Sequence, residues 1–339
     1  MGQVVLVTGV AGDLGRRFAA QLSEAPGVER VIGVDVLPPR GDLGGADFVR
    51  ADIRNPVIAK VIAGEDVDTV VHTSVADAAS QVGGRMSMKE HNVIGTMQLL
   101  AACQKAAGLE RLVVKSSSAV YGSSSRDPAM FTEDMSAKRM PRAGYAKDVL
   151  EVEGYVRGFA RRRPDVAVTL LRAANAVGPR VHTPLTNYFR LPVVPTVLGF
   201  DARLQLLHES DLLGALEHAT LGGVHGTFNV AGDGLLVLSQ ALRRLGRPTV
   251  PVPAFALGAL GAVSQQAGFK GLQAELSGFL TFGRGLDTTR MRSVLGFRPT
   301  YTTAEAFADF GRSIAPGRLP HPASLAGAPG ISAAGDTRA

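Results

Sequence analysis

The chain has 339 residues, a formal net charge of +6 and a 45% hydrophobic fraction, so it buries a large core and has room for a second, smaller lobe. Its one cysteine, Cys103, excludes a disulfide framework and fits a reducing compartment. The positive charge does not point to nucleic acid, because aromatics are only 6% and there is no tryptophan on which bases would stack.

Met1 leads almost directly into an apolar strand, Val4–Thr8, so no leader and a cytoplasmic setting are expected. The strand runs into Gly9-Val10-Ala11-Gly12-Asp13-Leu14-Gly15 and then a helical stretch with Phe18, Ala19 and Leu22 on one face. Gly9 permits a tight turn, Gly12 lets backbone approach a pyrophosphate, and Gly15 lets helix pack close on strand. A diphosphate then sits on the free N–H groups and positive end of that helix, reached by Asp13 and Leu14 as well. A second strand, Arg30–Asp35, ends in a carboxylate placed to hold an adenosine ribose diol and to repel a 2′-phosphate. NAD is therefore expected over NADP.

Further strands are expected at Phe48–Ala51, Thr69–His72, Arg111–Ser116 and Ala167–Arg172, with helices at Lys89–Ala107 and Ala146–Arg162. Alternating strands and helices imply an α/β fold, a Rossmann-type doubly wound parallel sheet. The NAD-binding part is expected over residues 1–175 with later segments around 200–232, and a discontinuous substrate lobe over 176–313. The densest basic run, Arg161–Arg163, falls where Pro164 ends a helix, and cations there favour the helix C-terminus without any partner. Glu151 and Glu153 on the same helix are expected as surface charges. Val252–Val263 is too short to span a bilayer and is read as packing, a greasy cap or a partner helix. Residues 314–339 lack apolar periodicity and are expected to form a mobile tail. No metal-ligand spacing occurs among the seven histidines and the cysteine.

The glycine spacing, together with Asp52-Ile53, Val70-Val71-His72, Asn92 with Gly95-Thr96, the Ser116–Gly122 run and the Leu171–Pro179 run, resembles the extended short-chain dehydrogenase/reductases. These are the NAD-dependent epimerases and dehydratases. His208-Glu209-Ser210-Asp211 and the segment from Asp287 to Pro299 extend the likeness, with His208 and Asp211 as fold elements. The resemblance implies that Asp52 and Ile53 contact adenine and that His72 and Asn92 lie at the cofactor. It also implies that Ser117 binds the reacting oxygen and that Tyr145 transfers a proton beside the nicotinamide. Ser118, Asn175 and Arg180 fall on the substrate side.

The family lysine, four residues after the tyrosine, is Val149 here, and Lys147 lies about 200° round the helix from Tyr145. Lys115 shares a strand face with Ser117 and is the candidate replacement. Ser118 and Ala119 stand where the dehydratases carry an Asp-Glu pair, which argues against 4,6-dehydration. Leu204 stands where the UDP-galactose epimerases have a diphosphate arginine, which argues for a weak hold on UDP-sugars. The expected function is epimerase- or dehydrogenase-like chemistry on a sugar-like or other alcohol or carbonyl substrate, a small molecule. No nucleic acid or membrane span is expected, and a homodimer is left open. The alternative is a catalytically weak or inactive dinucleotide-binding regulatory or scaffold protein.

Overall fold

The computed structural model describes residues 2–75, 85–141, 144–254, 256 and 276–314. The expected tail lies, beyond Ile314, outside the described residues, as does most of Val252–Val263. Short apolar runs become strands and amphipathic runs become helices, alternating through most of the first half of the chain. The order begins β1 (Gln3–Thr8), α1 (Asp13–Ser23), β2 (Val28–Asp35), β3 (Asp47–Arg50), α2 (Val57–Gly64) and β4 (Thr69–His72). It continues through α3 (Arg85–Lys89), a π-helical turn at Glu90–Ile94, α4 (Gly95–Lys105), β5 (Arg111–Ser117), a tight turn at Ser118–Tyr121, α5 (Gly144–Arg162) and β6 (Ala167–Ala173). The second half carries β7 (Asn175–Val177), α6 (Pro184–Phe189), β8 (Val194–Val197), β9 (Arg203–Leu204), β10 (Leu206–His208), α7 (Glu209–Gly222) and β11 (Gly226–Val230). Last come β12 (Leu236–Val237), α8 (Leu238–Arg244), β13 (Thr249–Val252), a helix at Ser277–Phe282, β14 (Gly283–Arg284) and a helix at Thr303–Arg312.

Seven strands form one parallel sheet in the order β11-β6-β5-β4-β1-β2-β3. The chain winds outward from β1 to β3, then returns through β4 to β11 on the other side. Ligands of such sheets bind outside the carboxyl ends at the point where the winding reverses, here between β1 and β4. Alternate residues along each strand feed two cores. Val5, Val7, Val71, Val113 and Leu171 pack with α1 and α7, and Leu6, Val70, Leu112, Val114 and Leu170 pack with α2, α4 and α5. A third core joins Tyr188, Phe189, Leu204, Leu242, Phe307 and Phe310 in the C-terminal lobe.

The lobe is sewn to the sheet. Phe131 N–H donates to Gly285 O at 2.9 Å, and Asp287 N–H donates to Phe131 O at 2.8 Å. Leu286 N–H donates to the buried Gln205 Oε1 at 2.7 Å. Of the basic run, Arg163 does cap a helix C-terminus, but that of α4: its Nη1 donates to the carbonyls of Cys103 at 3.1 Å and Ala106 at 3.0 Å. Among the described residues no helix is long and apolar enough to cross a membrane.

Candidate active site

Gly9, Asp35, His72 and Ser117 all stand at the carboxyl edge of the sheet, because the register pairs Thr8 with Val34 and His72, and Ser117 with Ala173. Gly9 has φ +85°, and a Cβ there would come within 2.9 Å of the Ser74 backbone. A Cβ on Gly15 would meet Gly9 O at 2.3 Å. Both glycines are demanded by the fold itself. Gly12 is not: a Cβ there would touch only Gly9 O, at 3.4 Å, and the residue is exposed. Its small size therefore reserves space outside the fold, above the N-terminus of α1, where no side chain caps the helix. Asp13 is exposed and pairs with Arg16 at 2.9 Å, while Leu14 packs against the core.

The Asp35 carboxylate accepts from Ala11 N–H at 2.9 Å and from Val36 N–H at 2.7 Å. It braces the glycine loop while standing half-buried at the crevice. Asp52 is held by Arg54 at 2.7 Å, and the hydrogen bonds of that guanidinium keep its carboxyl below the usual range. Ile53 is buried and packs where α4 begins: a Cβ on Gly95 would lie 2.9 Å from its Cδ1.

His72, expected at the cofactor, is buried at the end of β4 with both ring nitrogens engaged. The ring is 1% exposed, its Nδ1 lies 2.8 Å from Thr8 Oγ1 and its Nε2 lies 2.9 Å from Thr96 Oγ1. Thr96 spends its own proton on Asn92 O at 2.6 Å, so Nε2–H donates and Nδ1 accepts from Thr8. Both nitrogens serve the protein, and the ring offers none to a ligand. Asn92 is wholly buried in the π-helical turn. Beside it stands His91, absent from the sequence-derived set. Its Nε2 lies 2.7 Å from Ser74 Oγ, and its charge would be felt by Asp35 and Asp52. Adjacency to Asn92 is the one sequence signal that marks it.

Burial lowers the pKa of both histidines, that of His72 to about 3. Above the unfolded value near 6.5, neither folded nor unfolded chain binds these protons. Below it the unfolded chain takes up protons that the native ring refuses, so stability falls by about 1.4 kcal/mol per pH unit for His72. Denaturant titrations should show stability dropping from pH 6.5 to 4.5, and His72→Gln should remove about one proton's worth of that slope. A flat wild-type profile over this window would contradict the assignment.

Ser117 ends β5, and its Oγ accepts from Ala119 N–H at 3.1 Å. Among the described residues its own proton has no acceptor. Tyr145 is half-buried in the first turn of α5, against the core that contains the wholly buried Val149. Lys147 reaches Glu151 at 3.7 Å, consistent with its pointing away from Tyr145. Lys115 and Ser117 project from the same face of β5, and Lys115 is close enough to His72 for its charge to disfavour protonation there. Ser118 is buried and accepts from Arg284 Nη1 at 3.1 Å. Asn175 lies half-buried on β7, whereas Arg180 is exposed. Leu204 is fully buried in the lobe core.

Glu153, expected at the surface, is wholly buried. Its Oε1 accepts from Ser116 Oγ at 2.6 Å and from Arg172 Nε at 2.9 Å, and its Oε2 accepts from Arg172 Nη2 at 2.7 Å. Arg172 Nη1 donates to Tyr121 Oη at 2.8 Å, and that phenol donates to Asn229 Oδ1 at 2.7 Å. Burial works against the Arg172 charge, yet the hydrogen bonds and charge of Glu153 outweigh it and raise the pKa. Tyr121, the other tyrosine near Ser117, is thus committed to this network, and burial raises its pKa against the pull of Arg172 and Asn229. The described residues contain no group of three or more His, Cys, Asp or Glu able to hold a metal.

Residues 5–193 match the model of the NAD dependent epimerase/dehydratase family. The chain belongs to that family. Its cofactor is accordingly NAD, and the unencumbered Gly12, the uncapped α1 N-terminus and the Asp35 carboxylate suit a dinucleotide. Over 325 residues the chain is 53% identical to an uncharacterised protein of Mycobacterium tuberculosis, covering 94% of this chain and 86% of that one. A UDP-glucose 4-epimerase of Streptomyces lividans is 34% identical over 205 residues, 57% of this chain and 58% of its own. The fold resembles a dTDP-glucose 4,6-dehydratase from Bacillus anthracis in complex with NAD, with TM-score 0.69 and 19% identity over 92% of this chain and 96% of that one. It also resembles a UDP-glucose 4-epimerase from Thermotoga maritima with UDP-glucose, with TM-score 0.68 and 20% identity over 92% and 98%.

Proposed function

We propose that this family member is an NAD(H)-dependent oxidoreductase that works on an alcohol or carbonyl of a sugar-like small molecule at the Ser117–Tyr145 edge. The observation that carries the reading is the uncommitted Ser117 proton at the carboxyl end of β5, on the same face as Lys115. Bound NAD would supply the hydride acceptor or donor. Gly9, Gly12, Asp13, Leu14 and Gly15 would receive its diphosphate, Asp35 its adenosine ribose, and Asp52 with Ile53 would flank its adenine.

Ser117 Oγ–H donates to the substrate oxygen and fixes its position. The Tyr145 phenol gives a proton to that oxygen on reduction or removes one on oxidation. A neutral phenol is a ready acid and a poor base, so reduction of a carbonyl is the favoured direction. Lys115 supplies the cation that Val149 cannot. Ser118 and Asn175 flank the substrate, with exposed Arg180 at the rim.

The reading is tested by following NADH absorbance with sugar nucleotides, free sugars and lipophilic ketones. Turnover with none of them, alongside intact NAD binding, favours the non-catalytic alternative.

Cofactor choice gives a separate expectation. Asp35→Ala should weaken NAD binding by about 1.5–3 kcal/mol, the worth of a hydrogen bond to a charged group. In wild type NAD(H) should bind more tightly than NADP(H), since Asp35 repels a 2′-phosphate. Calorimetry showing equal affinities, or an Asp35→Ala variant of unchanged affinity, would count against this role.

A further inference from the structure

His91 stands where three parts of the cofactor edge meet. It belongs to the π-helical turn Glu90–Ile94, a geometry that recurs at functional sites. Its Nε2 lies 2.7 Å from Ser74 Oγ, in the segment that follows β4. Ser74 in turn walls the glycine loop, since a Cβ on Gly9 would come within 2.9 Å of its Cα. The ring is therefore one side chain removed from the backbone that would receive a diphosphate. Among the described residues Nδ1 has no hydrogen-bond partner.

The charges around this ring come from every neighbouring element. From β2 comes Asp35, which braces the glycine loop, and from the segment after β3 comes Asp52, held by Arg54. Lys89 and Glu90, beside it in the chain, are exposed, and α5, packed against the turn, carries the buried Asp148. His72, at the end of β4, is held neutral by burial, its pKa pushed down to about 3. Burial pushes the His91 pKa down as well, but Asp35 is the strongest of the charges opposing the fall, with Asp52 on the same side and Arg54 against. The ring is thus poised. The fold alone leaves it neutral near neutral pH, and one more anion close by favours the charged form.

A dinucleotide brings that anion. Both phosphates of NAD are ionised, and the edge they would face already carries Asp13 and Asp35. Arg16 is taken by Asp13, and Arg54 by Asp52. We propose that His91 takes up a proton from solvent as NAD binds, and that the charged ring, fixed through Ser74, offsets the carboxylates beside the diphosphate. The coupling rests on the family's cofactor and not on turnover. Linkage sets its sign: affinity is gained as pH falls through the interval between the free and the cofactor-bound pKa of His91, and above both values this group gives no pH dependence.

The test is calorimetric titration of the whole protein with NAD near pH 6, in MES and in imidazole, two buffers whose heats of protonation differ. The difference in apparent heat should report uptake of about half a proton or more per cofactor, and affinity should tighten about five- to ten-fold from pH 7.5 to pH 5.5. His91→Gln, which keeps a polar group for Ser74 but cannot ionise, should lose both the uptake and the pH dependence. The carboxylates are ionised throughout this window and His72 does not titrate in it, so neither should replace the lost signal. No proton exchange near pH 6, release instead of uptake, or uptake that His91→Gln retains each overturns the proposal. Should His91→Gln fail to fold, His91→Asn makes the same comparison.

Discussion

Replacing Glu153 by alanine should destabilise the protein by about 3–5 kcal/mol, the cost of leaving a buried charge uncompensated. The charge left behind is Arg172, 8% exposed on β6, which among the described residues would keep Tyr121 Oη and Glu133 O as acceptors. Ser116 would lose its acceptor in the same step. Arg157, which also reaches Glu153 at 3.0 Å, is half exposed and returns to water at little cost. Glu153→Gln should lose less, since an amide oxygen still accepts from Arg172. The double variant Glu153→Met with Arg172→Met should recover much of the loss, because removing both charges removes the desolvation problem. Urea unfolding decides the matter. A loss below about 1 kcal/mol for Glu153→Ala would match an exposed ion pair and contradict the buried network.

Tyr145→Phe should lower carbonyl reduction by about a hundred- to ten-thousand-fold in kcat/KM, the usual worth of a positioned general acid. NADH binding should stay within a few-fold, because the ring remains to pack against the core around Val149. Wild type should oxidise alcohols more slowly at neutral than at alkaline pH, because oxidation needs a base and a protonated phenol is a poor one. Lys115→Met should depress the same reaction and weaken NAD binding if Lys115 supplies the cation. Brisk wild-type turnover that Tyr145→Phe abolishes and Lys115→Met leaves untouched would remove Lys115 from the site. Indifference to both substitutions would remove Tyr145 as well.

The sheet was legible because each strand is a short apolar run bounded by turn residues. The six strands expected from sequence fall within a few residues of β1 to β6. The glycine loop was legible for a different reason: Gly9 and Gly15 are required by backbone geometry, and such requirements leave fixed spacings. Glu153 was misread because a carboxylate ordinarily marks a solvent face. Two signals pointed the other way. It sits four residues after Val149 and three before Val156, both wholly buried, and Arg172 interrupts an otherwise apolar strand. The partners of Arg284 were hidden for a stronger reason. Ser118, Gly122 and Ser123 are more than 160 positions away, brought there by the pairing of two-residue strands that no local pattern announces. His72 lay between these cases: its place at the strand end was readable, but the demands of Thr8 and Thr96 on its ring were not.

The seam between lobe and sheet limits how this enzyme can breathe. Phe131 trades backbone hydrogen bonds with Gly285 and Asp287, and Asn229 Nδ2 reaches back to Phe131 O at 2.9 Å. Swinging the lobe open as a rigid body would strip partners from several buried polar groups at once, each costing about 1–3 kcal/mol. Hinge closure of the kind seen in two-lobed binding proteins is therefore disfavoured. Joined this way, the sheet and the lobe form one frame, on which Ser117 of β5 and Arg284 of β14 are held together through Ser118.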